Sequence, residues 1–262
     1  MKTAQGFEQV MSTVSSWHWN REDFTEQWKC ILREESGSDA SEGAFYKTRF
    51  KGVRLLTVPS DEGDYRVAFK TYQENRFFRY LFRPSLAARE ARGFAAAASL
   101  GIPVVEVLAL GEERRCLKLL SAYFVTRFVE NTESLRYFKK HPEQRGMLMQ
   151  LLKENIAMLA KMHAAGYIHG GAHPRNFLWR QTADGKLESF WIDLASVRKI
   201  APTHRKWWKY ILTDLTDFTE VFQLTQAELD EVLAEYRKVN DLPVAYKIRT
   251  DNPRKFSEAY RI

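Results

Sequence analysis

The stretch "YIHGGAHPRNFLW", residues 167–179, places two histidines and an asparagine in a short polar segment between two regular elements. Before it, "LLKENIAMLAKMHAAG" carries apolar residues at helical spacing and ends at Gly166, which predicts a helix and its stop. After it, "NFLW" and "SFWID" flank the dipeptide Asp184 and Gly185, a pattern typical of a β-hairpin turn. The stretch is therefore predicted to be a loop between a helix and a hairpin.

The first half of the chain is predicted to consist mainly of strands. "FYKTRFKGVRLLTV" and "YRVAFKTY" flank the turn "PSDEGD", which predicts an antiparallel hairpin ending near Lys70. An Ala-rich helix is predicted over residues 85–100, and further strands in "LGIPVVEVLALGE" and "AYFVTRFVE". Short helices are predicted over residues 23–33 and 207–240. The order favours an α+β protein in which strands come first and helices later.

Two charged residues of the first half form a candidate pair. Lys70 ends the strand "VAFK", and from there a lysine can reach nucleotide phosphates if a carboxylate fixes its direction. Glu90 lies on the Ala-rich helix "LAAREARGF", and a helix packed behind the sheet would bring it to Lys70. The same two residue types are also common on solvated surfaces, so the sequence leaves both interpretations open.

Two oxygen-bearing side chains lie in and after the loop. Asn176 belongs to the loop, and Asp193 ends the apolar strand "FWI" of the hairpin. Amide and carboxylate oxygens are ligands that Mg²⁺ prefers. A carboxylate buried behind "FWI" would be costly without a partner, so a cation or a set of hydrogen bonds is expected there.

Composition indicates a soluble globular protein with a sizeable core. The chain has 262 residues, 45% of them hydrophobic and 28% charged, and a formal charge of +7. That charge favours anionic partners, among them nucleotides, phosphorylated sugars, nucleic acid and acidic membranes, without selecting one. Nucleic-acid binding rests on charge alone, and none is expected. Two cysteines without metal-ligand spacing, and no signal-like or membrane-spanning segment, predict a cytoplasmic protein.

In this order, the Lys70 strand, the Glu90 helix, the loop and Asp193 resemble the protein-kinase-like fold. "KMHAAGYIHGGAHPRNFLW" and "FWIDLASVRK" are similar to the bacterial lipopolysaccharide core kinase family, which phosphorylates heptose or Kdo sugars of the inner core. "LGIPVVEVLALGE" and "KWWKYILTDLTDF" follow the same family pattern. The resemblance implies two lobes: a small antiparallel-sheet N-lobe over residues 44–130, after an N-terminal extension over 1–43, and a mostly helical C-lobe over 131–262.

The resemblance also implies roles for individual residues. Lys70 would contact the phosphates of ATP and Glu90 would orient it, with residues 125–130 forming the hinge beside adenine. The implied site residues are, for the nucleotide, Lys70, Glu90, Thr126 and Phe128; for Mg²⁺, Asn176 and Asp193; and in the catalytic loop, His169 as a brace and His173. The implied acceptor is the lipopolysaccharide core oligosaccharide at the cytoplasmic face of the inner membrane.

One position departs from the family pattern. The residue expected to accept the proton of the sugar hydroxyl is an Asp, and Gly171 occupies that position. A positioned general base contributes about 10²–10⁴ in rate, although phosphoryl transfer relies largely on positioning and charge neutralisation. His169 and His173 flank Gly171 and are candidates for a substitute, or for bracing. The sequence therefore implies either an active sugar kinase with an unusual loop or a pseudokinase that binds nucleotide in envelope biosynthesis.

Two basic aromatic stretches have two interpretations each. "YQENRFFRYLFRP" interleaves Arg76, Arg79 and Arg83 with aromatic residues, and "HRKWWKY" places Trp207 and Trp208 among basic residues. Both stretches could contact an anionic membrane surface or the anionic acceptor. Both could equally pack their aromatic residues inward and leave the basic residues in solvent.

Overall fold

The computed structural model describes residues 13–19, 46–48, 51–58, 64–73, 84–115 and 118–240. The chain divides into two compact units: unit 1 comprises Met1–Arg92 and Val105–Glu130, and unit 2 comprises Gly93–Val104 and Asn131–Ile262. Each unit has its own sheet. The helix predicted over residues 23–33 and the arginines of "YQENRFFRYLFRP" lie outside the described residues.

Unit 1 contains a sheet of six antiparallel strands. They are β1 (Thr13–Trp19), β2 (Tyr46–Thr48), β3 (Lys51–Val58), β4 (Tyr65–Gln73), β5 (Val107–Arg115) and β6 (Lys118–Arg127). Their order across the sheet is β1-β5-β6-β4-β3-β2. The hairpin predicted to end near Lys70 is formed by β3 and β4, with Val53 opposite Lys70. β1 pairs with β5, so the sheet begins inside the segment interpreted as an N-terminal extension, 1–43.

The two faces of β4 carry different side chains. Val67 and Phe69 are fully buried in the apolar core of unit 1. Successive side chains of a strand point to opposite faces, so Lys70 and Tyr72 project from the other face. The core cluster consists of Val58, Val67, Phe69, Leu108, Ala109, Tyr123 and Val125. Burying each larger apolar side chain of this kind stabilises the folded state by about 1.5–3 kcal/mol. This packing holds the strand that carries Lys70 in place.

The Ala-rich helix occurs where the sequence predicts it. Helix α1 spans Leu86–Ser99, and the hydroxyl of Ser85 accepts a hydrogen bond of 3.0 Å from the backbone N–H of Ala88. A serine in this position satisfies one of the unpaired N–H groups at a helix start. Glu90 lies in the first half of α1 and is fully buried.

Among its described residues, unit 2 combines the second half of α1 and three further α-helices with short strands. The elements are β7 (Glu133–Ser134), α2 (Arg145–Ala164), β8 (Tyr167–Ile168), β9 (Phe177–Gln181), β10 (Leu187–Trp191), β11 (Arg198–Lys199), α3 (Trp207–Thr219) and α4 (Gln226–Arg237). β10, β9 and β7 form one sheet, and β11 pairs with β8. Across the described ranges, no helix is both long and apolar enough to cross a membrane.

The predicted helix and hairpin on either side of the loop are both confirmed. The apolar face predicted for α2 is fully buried at Leu152, Ile156 and Leu159. The helix ends before Gly166, whose φ of 79° is a backbone conformation that glycine adopts without strain. β9 and β10 pair in antiparallel register around the predicted Asp-Gly turn. Residues 169–176 are thus fixed at both ends by regular structure.

Candidate functional site

Unit 1 brings Lys70 and Glu90 into direct contact. Lys70 Nζ lies 2.5 Å from Glu90 Oε1, and the two side chains are 8% and 0% exposed. The hydroxyl of Tyr72 donates to the other carboxylate oxygen of Glu90. Because Lys70 and Tyr72 lie two residues apart on one face of β4, a single carboxylate can bond to both. Both oxygens of Glu90 therefore have partners, and the lysine ammonium is held in one direction.

The contacts of Lys70 leave N–H donors of its ammonium for an anionic group. The Phe124 ring lies 5.7 Å from Lys70 Nζ, a distance at which a cation is attracted to an aromatic face. An ammonium carries three N–H donors, of which the bond to Glu90 Oε1 uses one. A lysine oriented in this way is suited to an anionic group such as a phosphate.

Thr126 lies near the end of β6 and Phe128 directly follows the strand; both are predicted to lie beside adenine. Thr126 is buried, and the backbone N–H of Phe128 donates to the carbonyl of Arg66 at 2.9 Å. The Arg66 guanidinium lies 4.7 Å from the centre of the Phe128 ring and bonds Glu130 at 2.8 Å. These contacts order the chain just after the strand.

In unit 2, Asp214 of α3 holds the start of the loop. Its carboxylate accepts hydrogen bonds from the backbone N–H groups of His169 at 2.7 Å and Gly170 at 2.8 Å. The Nε2 atom of His163 lies 3.3 Å from the same carboxylate, and His163 Nδ1 lies 2.8 Å from the Tyr236 hydroxyl. Asp214 is 1% exposed, so these partners are what make its burial tolerable.

His169 is enclosed by aromatic rings and makes no hydrogen bond through its ring to the described residues. Its ring is fully buried, 5.5 Å from the rings of both Phe177 and Trp191. Neither ring nitrogen has a hydrogen-bond partner among the residues that the structure describes. Burial lowers the pKa of His169, outweighing the opposite effect of the Asp214 and Asp193 carboxylates. A neutral, enclosed imidazole packs well and is poorly placed to exchange protons.

The two glycines of the loop differ in what they require. Gly170 has a φ of 69°, and a Cβ there would lie 2.9 Å from the carbonyl oxygen of Ser196, so the backbone demands glycine. Gly171 has no positive φ, and a Cβ there would meet no atom of the described chain within 4 Å. The missing carboxylate at Gly171 therefore has no steric or backbone cause.

His173 lies two residues after Gly171 in the loop, and Asp217 lies on α3. His173 Nε2 is 4.0 Å from Asp217 Oδ2, and the side chains are 44% and 24% exposed. At this distance the two groups interact by charge rather than through a short hydrogen bond. Burial raises the pKa of Asp217; His173 opposes this effect, while Asp214 and Glu220 add to it.

Asn176 and Asp193 are connected through the backbone. Asn176 Nδ2 donates to the Gly171 carbonyl at 2.9 Å, and the Asn176 carbonyl accepts from the Ile192 N–H at 2.9 Å. Asp193 follows directly and has a φ of 59°, a left-handed conformation uncommon for a residue other than glycine. Strained backbone of this kind is concentrated at functional sites. The amide oxygen of Asn176 and the carboxylate of Asp193 form a donor set that fits Mg²⁺.

The described part of the chain contains no cluster of three or more His, Cys, Asp and Glu side chains of the kind that encloses zinc. Mg²⁺ is usually held by one or two protein oxygens and by substrate phosphates, so a pair of oxygen donors is compatible with it.

Sequence reasoning did not identify Tyr72, Asp214 or Asp217. The available signal for Asp214 was an acidic residue within the apolar helical run "YILTDLTDF", which predicts a buried carboxylate with partners. Asp217 and Tyr72 gave no comparable signal, because their contacts are with residues distant in sequence.

Comparisons with known proteins identify the fold and the family of the chain. No curated protein that was searched matches the chain. A solved structure described as "WaaP in complex with acyl carrier protein" is similar with a TM-score of 0.62 at 17% identity, over 85% of this chain and 89% of that chain. This likeness confirms the predicted two-lobed, protein-kinase-like α+β fold. A model of the lipopolysaccharide kinase (Kdo/WaaP) family matches residues 57–236. The chain therefore belongs to the lipopolysaccharide kinase (Kdo/WaaP) family.

Proposed function

We propose that this chain transfers phosphate from ATP to a hydroxyl group of a heptose or Kdo sugar in the lipopolysaccharide inner core. The observation that carries the proposal is the buried ion pair between Lys70 and Glu90. Burying two charges is costly, and a buried ion pair often contributes nothing to stability that apolar residues could not. The pair is therefore better explained by the need for an oriented cation facing phosphate, in a chain that belongs to a kinase family.

The nucleotide would be bound by residues of unit 1. Lys70 would contact the phosphates, and Glu90 would hold the ammonium in position with the help of the Tyr72 hydroxyl. Thr126 and Phe128, at the end of β6, would lie beside the adenine ring. Kinase families use ATP as the phosphate donor, and membership of this family supports the same donor here.

Asn176 and Asp193 would hold Mg²⁺. The ion, when bound, neutralises charge on the transferred phosphate. Asp214 keeps the loop in place by accepting its first two backbone N–H groups, and Asn176 fixes the carbonyl of Gly171. These contacts let the chain position its oxygen donors before any ligand binds.

His173 would accept the proton of the sugar hydroxyl in place of the absent Asp. Its imidazole is 44% exposed, as a group that meets a substrate must be, whereas His169 is enclosed. Protonation would convert His173 to an imidazolium, which the Asp217 carboxylate, 4.0 Å away, would stabilise. The proton thus moves from the acceptor oxygen to the His173 ring as that oxygen bonds to phosphorus and the bond from phosphorus to the bridging oxygen of ADP breaks.

A second function is favoured by Gly171. A chain without the usual carboxylate can bind nucleotide and Mg²⁺ and still transfer phosphate too slowly to matter, since the base contributes about 10²–10⁴ in rate. In that case the protein is a pseudokinase, a nucleotide-binding module in envelope biosynthesis.

Phosphotransfer to core oligosaccharide separates the two functions. Gly171→Asp fits the structure, because its Cβ would meet no atom within 4 Å. Gly171→Asn is the matched control, since it has the same size and cannot act as a base. The kinase proposal predicts transfer by the unmodified protein, and loss of that transfer in His173→Ala. Transfer by Gly171→Asp alone, with none by the unmodified protein or by Gly171→Asn, would establish the pseudokinase instead.

The acceptor determines the proposed place of action. Lipopolysaccharide core is a lipid-linked glycan, so we infer that the protein works in the cytoplasm as a peripheral protein at the inner membrane. No role in nucleic-acid binding is proposed.

A further inference from the structure

A twenty-residue segment of unit 2, residues 194–213, contains five basic residues and no acidic one. Between Asp193 and Asp214 the sequence contains no acidic residue, and it contains Arg198, Lys199, Arg205, Lys206 and Lys209. All five are exposed. None of the five forms an ion pair with a carboxylate of the described residues. Their charge is therefore directed to solvent or to a partner.

An exposed tryptophan lies within the same segment. Of the two tryptophans in "HRKWWKY", Trp207 is 6% exposed and its ring lies 6.4 Å from that of His163, so it packs inward. Trp208 is 44% exposed. Trp208 and Val239 are the large apolar side chains found exposed among the residues described. Inward packing is thus confirmed for Trp207, while Trp208 is available for contact with a partner.

Aromatic rings hold the two basic residues of β11, Arg198 against α3 and Lys199 against β8. The Arg198 guanidinium lies 4.8 Å from the centre of the Tyr210 ring, and His204 stacks on the same residue at 6.2 Å. Lys199 Nζ lies 5.7 Å from the centre of the Tyr167 ring. Cations over aromatic rings are fixed in place without losing their charge.

Helix stability does not account for this arrangement. The first turn of α3 has no acidic residue, and Lys206 and Lys209 lie at its start. Positive charge at a helix N-terminus opposes the helix dipole, so both lysines are unfavourable for the helix itself. Residues that break a local rule without a structural gain are concentrated at functional surfaces.

We propose that Trp208, together with Arg198, Lys199, Arg205, Lys206 and Lys209, forms a surface that docks on an anionic lipid bilayer. This surface, here called the Trp208 surface, rests on the proposed function only in that the acceptor is lipid-linked. Tryptophan is enriched at the level of lipid headgroups, where its ring is apolar and its N–H is hydrated. Lysine and arginine beside it are attracted to anionic headgroups. An indole can also stack on a sugar ring, so binding to free core oligosaccharide is the alternative that the test separates from binding to a bilayer.

Vesicle co-sedimentation of the full-length protein, without nucleotide, tests the docking surface. Vesicles of phosphatidylcholine with phosphatidylglycerol should bind the protein, and vesicles of phosphatidylcholine alone should bind it weakly. The double variant Lys206→Glu/Lys209→Glu should weaken binding by roughly tenfold or more, because each basic residue near the bilayer contributes. The matched control is Lys139→Glu/Lys140→Glu, which makes the same charge change at two exposed lysines of the same unit. It should bind nearly as well as the unmodified protein.

Tryptophan variants test insertion separately from charge. Trp208→Ser should weaken vesicle binding, whereas Val239→Ser, at the other exposed apolar residue, should not. Trp208→Phe should keep most of the binding but lose the fluorescence quenching caused by brominated acyl chains. Unchanged melting temperatures would show that these surface variants fold.

Three results would overturn the docking proposal. The first is that the unmodified protein does not bind phosphatidylglycerol vesicles. The second is that the two double-lysine variants lose vesicle binding equally. The third is that variants of the Trp208 surface lose binding to free core oligosaccharide but keep their binding to vesicles. Since no nucleotide or transfer step is involved, failure here leaves the proposed kinase activity standing, and failure of phosphotransfer leaves the docking surface standing.

Discussion

At the scale of single residues, Gly170 and Gly171 of the loop differ in what the structure requires of them. Gly170 is required by its backbone angle and by the carbonyl of Ser196, whereas Gly171 is required by neither. A Cβ at Gly171 would therefore meet neither of these two obstacles, and Gly171→Asp tests whether a carboxylate there changes transfer. The nearest titratable partner pair that the loop does offer is His173 with Asp217. In the proposed function, Asp217 is a positioning residue and His173 is the group that meets the acceptor.

Asp217→Asn should lower kcat and leave stability intact or improved. Because burial raises the pKa of Asp217 above its ordinary value of 3.8, the folded protein binds this proton more tightly than the unfolded chain does. The ionised carboxylate therefore costs stability once the pH rises through the folded-state pKa, and Asn removes that cost at pH 7. The melting temperature at pH 7 should be equal to or above that of the unmodified protein, and the difference should vanish below the ordinary carboxyl pKa.

His173→Ala is the companion variant for this test. It should lower kcat by about 10²–10⁴-fold if the ring is the base, with little change in the nucleotide-induced melting shift. A purely structural Asp217 would give the opposite pattern, a lower melting temperature and an unchanged kcat.

At the scale of elements, α3 supplies two carboxylates that contact the loop, which its sequence did not indicate. One turn of this helix carries both Asp214, which binds the loop backbone, and Asp217, which faces His173. Residues three apart lie on one face of a helix, so both carboxylates face the loop together. The neighbouring helices α2 and α4 are joined by their own ion pairs, Arg145 to Glu228 and Lys153 to Glu231.

Asp214→Ala should destabilise unit 2 by about 2–4 kcal/mol, because it leaves the buried N–H groups of His169 and Gly170 without an acceptor. Urea unfolding would give the loss, and faster hydrogen exchange at these two amides would locate it. Asp214→Asn retains one acceptor oxygen and should lose less. A wild-type urea midpoint for Asp214→Ala is incompatible with this role.

Arg145→Ala should lower the free energy of unfolding by about 1 kcal/mol at pH 7. The Arg145 guanidinium bonds both oxygens of Glu228 at 2.6 Å and, with the Thr225 capping box, lowers the pKa of Glu228 from 4.5 to about 2. The ion pair contributes its full stabilisation above pH 4.5 and loses it as the pH falls from 4.5 through about 2. The free energies of unfolding of Arg145→Ala and of the unmodified protein should therefore converge in acid. Urea unfolding at pH 7 and pH 3 measures this convergence.

Lys153→Ala provides the control for the Arg145 prediction, because it removes a more exposed ion pair between the same two helices. Lys153→Ala should lower the free energy of unfolding by less than Arg145→Ala does, and this loss should differ little between pH 7 and pH 3. A loss in Arg145→Ala that is the same at both pH values would show that packing of the arginine, not its charge, is responsible.

Sequence patterns predicted local elements well and long-range contacts poorly. The β9–β10 hairpin follows from its Asp-Gly turn, and the end of α2 from Gly166, because both signals are local. The start of α2 lies at Arg145, earlier than its periodic pattern indicated, and its N-cap Gln144 makes no side-chain cap bond that could have signalled it. The Asp214 and Asp217 contacts join residues about 45 apart, so only the fold reveals them.

At the scale of the whole molecule, the residues of the proposed site are divided between the two units. Lys70 and Glu90 belong to unit 1, and Asn176, Asp193 and the loop belong to unit 2. The resemblance carried by short motifs correctly indicated the family, whose model matches residues 57–236. Whether Gly171 ends the chemistry depends on how His173 and Asp217 lie relative to each other, and this comes from the fold and not from the motifs.

ATP with Mg²⁺ should raise the melting temperature of the full chain. A ligand at a hundred times its dissociation constant stabilises the folded state by about 2.7 kcal/mol. Asp193→Ala should remove the shift, because it deletes a proposed Mg²⁺ ligand, while Asp230→Ala, an exposed Asp on α4, should retain it. Equal shifts in both variants would exclude Asp193 from the metal site.

Transfer of phosphate from ATP to isolated core oligosaccharide by the unmodified protein tests the central claim most directly. The account predicts a phosphorylated sugar product that requires Mg²⁺, is lost in Lys70→Met, and is greatly slowed in His173→Ala. No product from the unmodified protein, together with product from Gly171→Asp, would contradict the claim and show that this fold binds nucleotide without using it.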